Sequence, residues 1–503
     1  MTSRLYFTAF AGGLVSLALE LAASRLLAPT FGSSELVWSA IIGLILLYLS
    51  VGYALGGRWA DRSPQPATLY TLLTGAGAAI ATIPFISRPV LRLAAEGMLG
   101  WDVGLVVGPF LAVLLLFVVP VTLLACVSPF VIRLAMTDVR ASGVTAGKIY
   151  AISTLGSFLG TFLPNLVLIP WIGTHRTFLV LALFTATTGL WGLWRAGRRR
   201  FWLLAWLLPL LVGLLLIQPG TIKPHEGLVH EEESVYNFIQ VLEKQGTRYL
   251  LLNEGQGLHS VYIPGRTLTG GTWDYFLMAP YFNPPPHPPE EVHNLLVIGL
   301  AAGTIPAQYT AVYGPLPIDG VEIDPAIIRV GREYFGMTEP NLNAIAADGR
   351  AFLRQTNTRY DVIAVDAYRL PYIPWHLTTV EFFQEIRARL SDKGVVAINV
   401  GHTPDDWRLV EALAATMREV YPSVHVIAVP QTFNAIVIAT VQETTPENLA
   451  ANLPLLEDAR LRVITERAQA NLTDVRPDGM VFTDDHAPVE LLTNALILQY
   501  VLE

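Results

Sequence analysis

The sequence predicts a membrane α-helical bundle of about seven spans, followed by an α/β half. That second half comprises a small antiparallel β-domain and a doubly wound sheet. Three observations predict it. Mean hydropathy is +0.46 with only 15% charged residues, which is membrane-like for a 503-residue chain. The apolar character stops near Gly220, and charged residues become common beyond it. Four successive apolar runs in the later half then each end in a glycine turn or a carboxylate. These shifts divide the chain into 1–219, 220–283 and 284–503.

A membrane-crossing helix needs about 20 apolar residues. The runs near 5–28, 36–57, 67–87, 104–126, 149–171, 177–194 and 201–218 qualify. Glu20 and Arg25 lie within or just after the first run. They read either as a boundary pair with a snorkelling arginine or as a polar site inside the bundle. Gly156 and Gly160, with Thr154, Ser157 and Thr161, form a small-residue face suited to close helix packing.

After Pro219 the pattern alternates. Ser234 to Leu242, Arg248 to Asn253 and Leu258 to Ile263 read as strands of a small antiparallel sheet. Pro284 to Pro289 excludes helix and central strand, and reads as a stiff linker. Leu295-Leu296-Val297-Ile298 then runs into Gly299-Leu300-Ala301-Ala302-Gly303. This is a buried parallel strand entering a turn where Gly299, Ala301 and Gly303 let a backbone approach a ligand. The next strand, Ile318 to Ile323, ends in Glu322-Ile323-Asp324, placed to accept bonds from ribose hydroxyls. Asp348-Gly349 and Asp366 close two further strands. Ligands bind at the carboxyl ends of such strands, so the four ends together predict a nucleoside site. A helix near Thr378–Leu390, a strand Gly394–Val400 and a helix from Asp405 to Val420 follow. The final pair, Val424–Val429 and Ala435–Val441, is expected as an antiparallel hairpin at the sheet edge. The cluster Thr483 to Glu490 reads as a capped helix start or as part of a site.

A net charge of -8 and the absence of a basic stripe give no reason to expect nucleic acid as a partner. The single cysteine, Cys126, excludes a disulfide framework and a cysteine metal site, and no metal is expected.

Glu233-Ser234-Val235-Tyr236, the glycine turn, Val321-Glu322-Ile323-Asp324, Ala347-Asp348-Gly349 and Val365-Asp366 resemble the spermidine synthase family of aminopropyltransferases. With the apolar half in front, the chain resembles the multispan fused spermidine-synthase-like membrane proteins nearly end to end. Leu19 to Arg25, Gly56 to Arg62 and Tyr150 to Ser157 carry that part. The resemblance implies a methyltransferase-like Rossmann sheet that takes decarboxylated S-adenosylmethionine, or S-adenosylmethionine, as co-substrate. Glu322 would hold the ribose, Asp348 the adenine amino group, and Asp366 would be the general base. Gln256 would join the cofactor site. Tyr236 and Tyr275 would line the substrate side, and assembly into homo-oligomers is expected.

The chain also departs from the family pattern. Tyr275-Phe276-Leu277 stands where relatives carry Tyr-His-Glu, and Arg369 replaces an acid that would bind a substrate ammonium. Tyr368 and His376 could orient an acceptor, although His376 also fits a plain helix start. Arg369 either faces the site and repels a diamine, or points away while Asp485 and Glu490 bind the amine. The expected reaction is aminopropyl transfer to a small-molecule amine, releasing methylthioadenosine. Another reaction on S-adenosylmethionine, or a nucleoside-sensing transport module, remains as an alternative.

Orientation is contested within the sequence. Arg4, Arg58, Arg62, Arg133, Arg140 and Lys148, with the Arg195–Arg200 cluster, would share one side. The other loops carry Arg25, Arg88, Arg92 and Arg176. The positive-inside rule puts the N-terminus in the cytoplasm, and seven full crossings then leave the soluble half outside. A nucleoside-cofactor enzyme is expected where such cofactors are made. The expectation is therefore a multi-pass protein of the cell (inner) membrane with a cytoplasmic catalytic domain, a break at Pro120 or Pro209 altering the count.

Overall fold

The computed structural model describes the chain except residues 1, 33, 97–103, 137, 197–199, 218–219, 254, 256, 370, 477 and 503. Two compact units are present. One comprises Met1–Pro224 and Glu231–Phe238, the other His225–His230 and Ile239–Glu503.

The first unit is helical: α1 (Thr2–Phe31), α2 (Glu35–Arg62), α3 (Pro66–Glu96), α4 (Gly104–Ala125), α5 (Val127–Ala135), α6 (Ser142–Leu163), α7 (Ile169–Arg195), α8 (Arg200–Leu204) and α9 (Leu207–Leu216). Among the described residues, five helical runs are long and apolar enough to cross a membrane. The fifth, Ser142–Arg195, is broken at Gly173, whose φ of 76° and ψ of 167° leave the helical region. Small residues set the packing. A Cβ at Gly156 would lie 2.1 Å from the Phe10 carbonyl oxygen, and one at Gly160 2.1 Å from that of Leu14. Side chains there would force α1 and α6 apart, as the small-residue face anticipated. Gly77 meets Ala182 and Ala186, while Gly192 meets Tyr70, so α3 and α7 run antiparallel.

These contacts define two ends of the bundle. At one, Arg133 pairs with Asp61 at 3.3 Å. The other gathers the first residues past the helices. Arg88 donates to the carbonyls of Gly220 and Thr221, and Lys223 Nζ to that of Pro29 at 3.0 Å. Arg25 donates to the carbonyls of Ser234 and Tyr236. The Glu233 carboxylate accepts from Thr174 N–H at 2.6 Å and from the Thr174 hydroxyl. Glu233 thus caps the half-helix that restarts after Gly173, where unpaired N–H groups attract a carboxylate.

Beyond the helices the chain forms two sheets. Strands β1 (Leu228–Glu233), β2 (Phe238–Lys244), β3 (Thr247–Leu252) and β4 (Leu258–Tyr262) form the small one, in the order β1-β2-β3-β4. Gln245 and Gly246 both have positive φ, the geometry of a two-residue hairpin turn. The large sheet comprises β5 (Leu295–Ile298), β6 (Ile318–Glu322), β7 (Leu342–Ala346), β8 (Tyr360–Val365), β9 (Leu390–Gly401), β10 (Ser423–Ala428) and β11 (Asn434–Thr440), in the order β10-β11-β9-β8-β5-β6-β7. Five strands are parallel, whereas β11 runs antiparallel to both β9 and β10. The terminal hairpin therefore forms, with its second strand inserted beside β9.

Within the second unit the two sheets share a core. Ile239, Val241, Leu250 and Leu252 pack with Ala302, Ala326, Ile327, Val330 and Phe335. The proline-rich stretch is tied into the unit rather than left as a spacer. Asn452 donates to the carbonyls of Tyr281 and Asn283, and accepts from His287 N–H.

Candidate active site

The strand order reverses at β5, which is flanked by β6 on one side and β8 on the other. Ligand crevices open at such switch points. Between β5 and the helix α10 (Thr304–Tyr313) the chain turns through Gly299 and Gly303, both at φ +88°, with Ala301 at +47°. A Cβ on Gly299 would sit 2.4 Å from the Asp366 carbonyl oxygen, so this turn passes directly over the end of β8.

Glu322 reaches the same turn from β6. Its carboxylate accepts from Ala301 N–H at 3.0 Å and Asp324 N–H at 3.1 Å. It is buried, and burial pushes its carboxyl up to about 7. Asp324 is fully buried and caps the helix α11 (Pro325–Tyr334), accepting from Ala326 N–H at 3.0 Å. Asp348 caps α12 (Gly349–Gln355) through Ala351 N–H at 2.8 Å and remains partly exposed. His376 Nε2 lies 3.4 Å from its Oδ2. A Cβ on Gly349 would come within 2.4 Å of Ile298, so α12 starts hard against β5.

Asp366 follows β8, its N–H bound to the Ile298 carbonyl at 2.9 Å. Its two oxygens are taken by different elements. Trp273 Nε1–H donates to Oδ2 at 3.0 Å, and Asn399 Nδ2 donates to Oδ1 at 2.9 Å. Burial pushes the carboxyl up to about 6, and the two donors oppose that shift. The Tyr368 hydroxyl donates to the Asn399 carbonyl at 3.0 Å, and burial holds its pKa well above the usual phenol value.

Gly299, Ala301, Gly303, Glu322, Gly349, Asp366 and Tyr368 thus converge on the carboxyl ends of β5, β6 and β8, and Asp348 with His376 lies at the end of β7. Other residues singled out from the sequence lie elsewhere. Tyr275 is buried in the core with Phe276 and Leu277. Arg369 is exposed on a tight turn in which it exchanges backbone bonds with Tyr372. Asp484 is held by the guanidinium of Arg350 at 2.7 Å, and Asp485 is exposed beside it. Glu490 lies in the first turn of the helix Val489–Leu502. Tyr236 belongs to the helical unit. Gln256 lies outside the described residues.

Trp273 and Asn399 were missed. Asn399 had a signal: it is the one polar residue of Val395-Val396-Ala397-Ile398-Asn399-Val400. Register pairs Val365 with Ile398, which puts Asn399 beside Asp366. Trp273 had none, because the motif directs attention two residues onward to Tyr275.

Residues 289–452 match the spermine/spermidine synthase domain family. The chain carries that domain behind a region of long apolar helices, and polyamine aminopropyltransferases are among its homologues. It is 31% identical over 296 residues to a probable polyamine aminopropyl transferase of Bifidobacterium longum, covering 55% of this chain and 65% of the relative. It thus spans just under two thirds of that relative's length. It is 25% identical over 426 residues to a polyamine aminopropyltransferase of Corynebacterium efficiens, covering 75% of this chain and 79% of the relative. That alignment is too long to exclude the helical unit. A solved structure of a probable spermidine synthase from Corynebacterium glutamicum aligns with a TM-score of 0.38 and 20% identity, over 51% of this chain and 100% of its own.

Proposed function

We propose that the protein is a membrane-anchored aminopropyltransferase of spermidine synthase type. It moves the aminopropyl group of decarboxylated S-adenosylmethionine to an amine and releases methylthioadenosine. The observation that carries this reading is the half-buried Asp366 carboxylate at the strand switch point, next to the Gly299 turn that Glu322 holds from the other side.

Chemistry follows from that arrangement. The sulfonium is a charged leaving group. The acceptor nitrogen attacks the carbon bound to sulfur, the C–S bond breaks, and its electron pair neutralises the sulfur as a thioether. The nitrogen must shed a proton, and Asp366 accepts it. Holding the two reactants in line supplies much of the acceleration. Glu322 keeps lone pairs beyond its two backbone bonds, and these accept the ribose hydroxyls. Asp348, with one oxygen on its helix cap and partial exposure, accepts the adenine amino group. The lipid bilayer is the other partner.

The helical unit is read as crossing seven times, with the Ser142–Arg195 run supplying two crossings and Phe201–Leu216 the last. The seventh is short, and the positions of its two ends support a crossing. It starts beside Arg195, at the end where Gly192 meets Tyr70, and leads to Gly220, bound by Arg88. Helix α3 spans the same gap, about 27 Å at 1.5 Å per residue. Leu207 and Leu211 are buried in the bundle core along the way.

The test is product analysis. Purified protein is given decarboxylated S-adenosylmethionine and an amine, or intact S-adenosylmethionine. Methylthioadenosine from the first supports the proposal, and adenosylhomocysteine from the second supports methyl transfer instead.

A further inference from the structure

We infer that the helical unit is inserted with its N-terminus and arginine-rich loops in the cytoplasm, so that the chain beyond Phe238, with its active site, is exported to the other side. The inference rests on reading the helical unit as membrane-spanning, and it replaces the cytoplasmic placement expected from cofactor supply.

The structure removes the escape routes the sequence left open. A break at Pro120 does not alter the count: α4 is one helix through Pro120, its start at Gly108 meets Phe31 and Ala94, and the residue after its end, Cys126, meets Gly56. The run containing Pro209 crosses, by the distance argument given above. An odd number of crossings puts the N-terminus and the exit at opposite ends of the bundle. Contacts inside the unit agree. Gly220, Thr221, Lys223, Glu233 and Ser234 bind Arg88, Pro29, Thr174 and Arg25, all at the end away from the Asp61–Arg133 pair.

Charge then orients the bundle. The loops after α2, α5 and α7 are short, the range over which the positive-inside rule operates. These loops and the helix ends that flank them carry Arg58, Arg62, Arg133, Arg140, Lys148 and the Arg195–Arg200 cluster. At the opposite end, Arg25 and Arg88 are bound to carbonyls of the emerging segment. Those two cations are structural fastenings at the exit. A permanently charged sulfonium crosses hydrocarbon poorly. A donor made in the cytoplasm would therefore need a transport step before this one.

The test uses the full chain in cells. Its single cysteine, Cys126, is buried, so new cysteines are read on a clean background. Asn357→Cys marks the catalytic unit and Ala141→Cys the loop before α6, and both positions are exposed. Spheroplasts are treated with a membrane-impermeant maleimide before and after the membrane is opened. The expected result is Asn357→Cys labelled at least tenfold over the parent chain in intact spheroplasts, with Ala141→Cys labelled only after opening. Asn357→Cys dark until opening would overturn the inference. Release of the protein by alkaline carbonate would instead defeat the membrane reading itself, a separate failure.

Discussion

The indole N–H of Trp273 lies 3.0 Å from Asp366 Oδ2, on a carboxylate whose other oxygen is held by Asn399 at 2.9 Å. Two neutral donors fix the proposed base without taking its proton. Trp273→Phe keeps an aromatic ring, smaller than the indole, and removes the donor. A hydrogen bond to a charged group contributes about 1.5–3 kcal/mol, so kcat should fall about 10- to 100-fold while nucleoside affinity holds. The acid limb of kcat/KM should move to higher pH, because the lost donor favoured the ionised form. A limb that stays in place would show that the indole only packs there.

Asp366 sits at about 6 in the free protein and must be ionised to accept a proton. Activity should therefore fall as pH drops through about 6 and level off above it. Asp366→Asn should abolish turnover yet bind methylthioadenosine normally by calorimetry, since the amide matches the carboxyl in size but cannot take the proton.

Glu322 is pushed up to about 7, and ribose hydroxyls bind its ionised form best. Methylthioadenosine affinity should weaken as pH falls from 8 to 6. Glu322→Ala should weaken it at pH 8 by about 1.5–3 kcal/mol, the range for a bond to a charged group, and remove the pH dependence. Unchanged titrations in the variant would take Glu322 out of the site.

Gly299→Ala places a methyl 2.4 Å from the Asp366 carbonyl oxygen on a backbone held at φ +88°. The positive φ alone costs about 1–2 kcal/mol, and the clash must displace Asp366. Thermal unfolding should shift downward, and activity should fall further than the stability loss accounts for.

Arg369 is exposed, so Arg369→Asp should change stability by less than about 0.5 kcal/mol. It should also leave the choice between putrescine and a monoamine unaltered. Improved use of putrescine would mean that the arginine turns inward during the reaction.

The strand ends were legible because each is an apolar run stopped by a glycine or a carboxylate. That pattern located the Gly299 turn, Glu322, Asp348 and Asp366 without any tertiary contact. The edge hairpin was legible from two apolar runs joined by a short turn, but its insertion order was not. Which of two strands lies inward depends on packing against β9. Trp273 was illegible because nothing local marks one aromatic residue of Trp273-Asp274-Tyr275-Phe276 as the one whose polar edge reaches Asp366. Glu233 was read as part of a family motif. Its partner Thr174 is 59 residues away, just past a helix break that lies inside one continuous apolar stretch. The break rests on Gly173, one of 40 glycines in the chain.

The most direct test of the central claim is the product formed by purified full-length protein from decarboxylated S-adenosylmethionine and a panel of amines. The account predicts methylthioadenosine in equal amount to an aminopropylated amine, lost in Asp366→Asn. Adenosylhomocysteine from intact S-adenosylmethionine, with no methylthioadenosine from the decarboxylated donor, would contradict it.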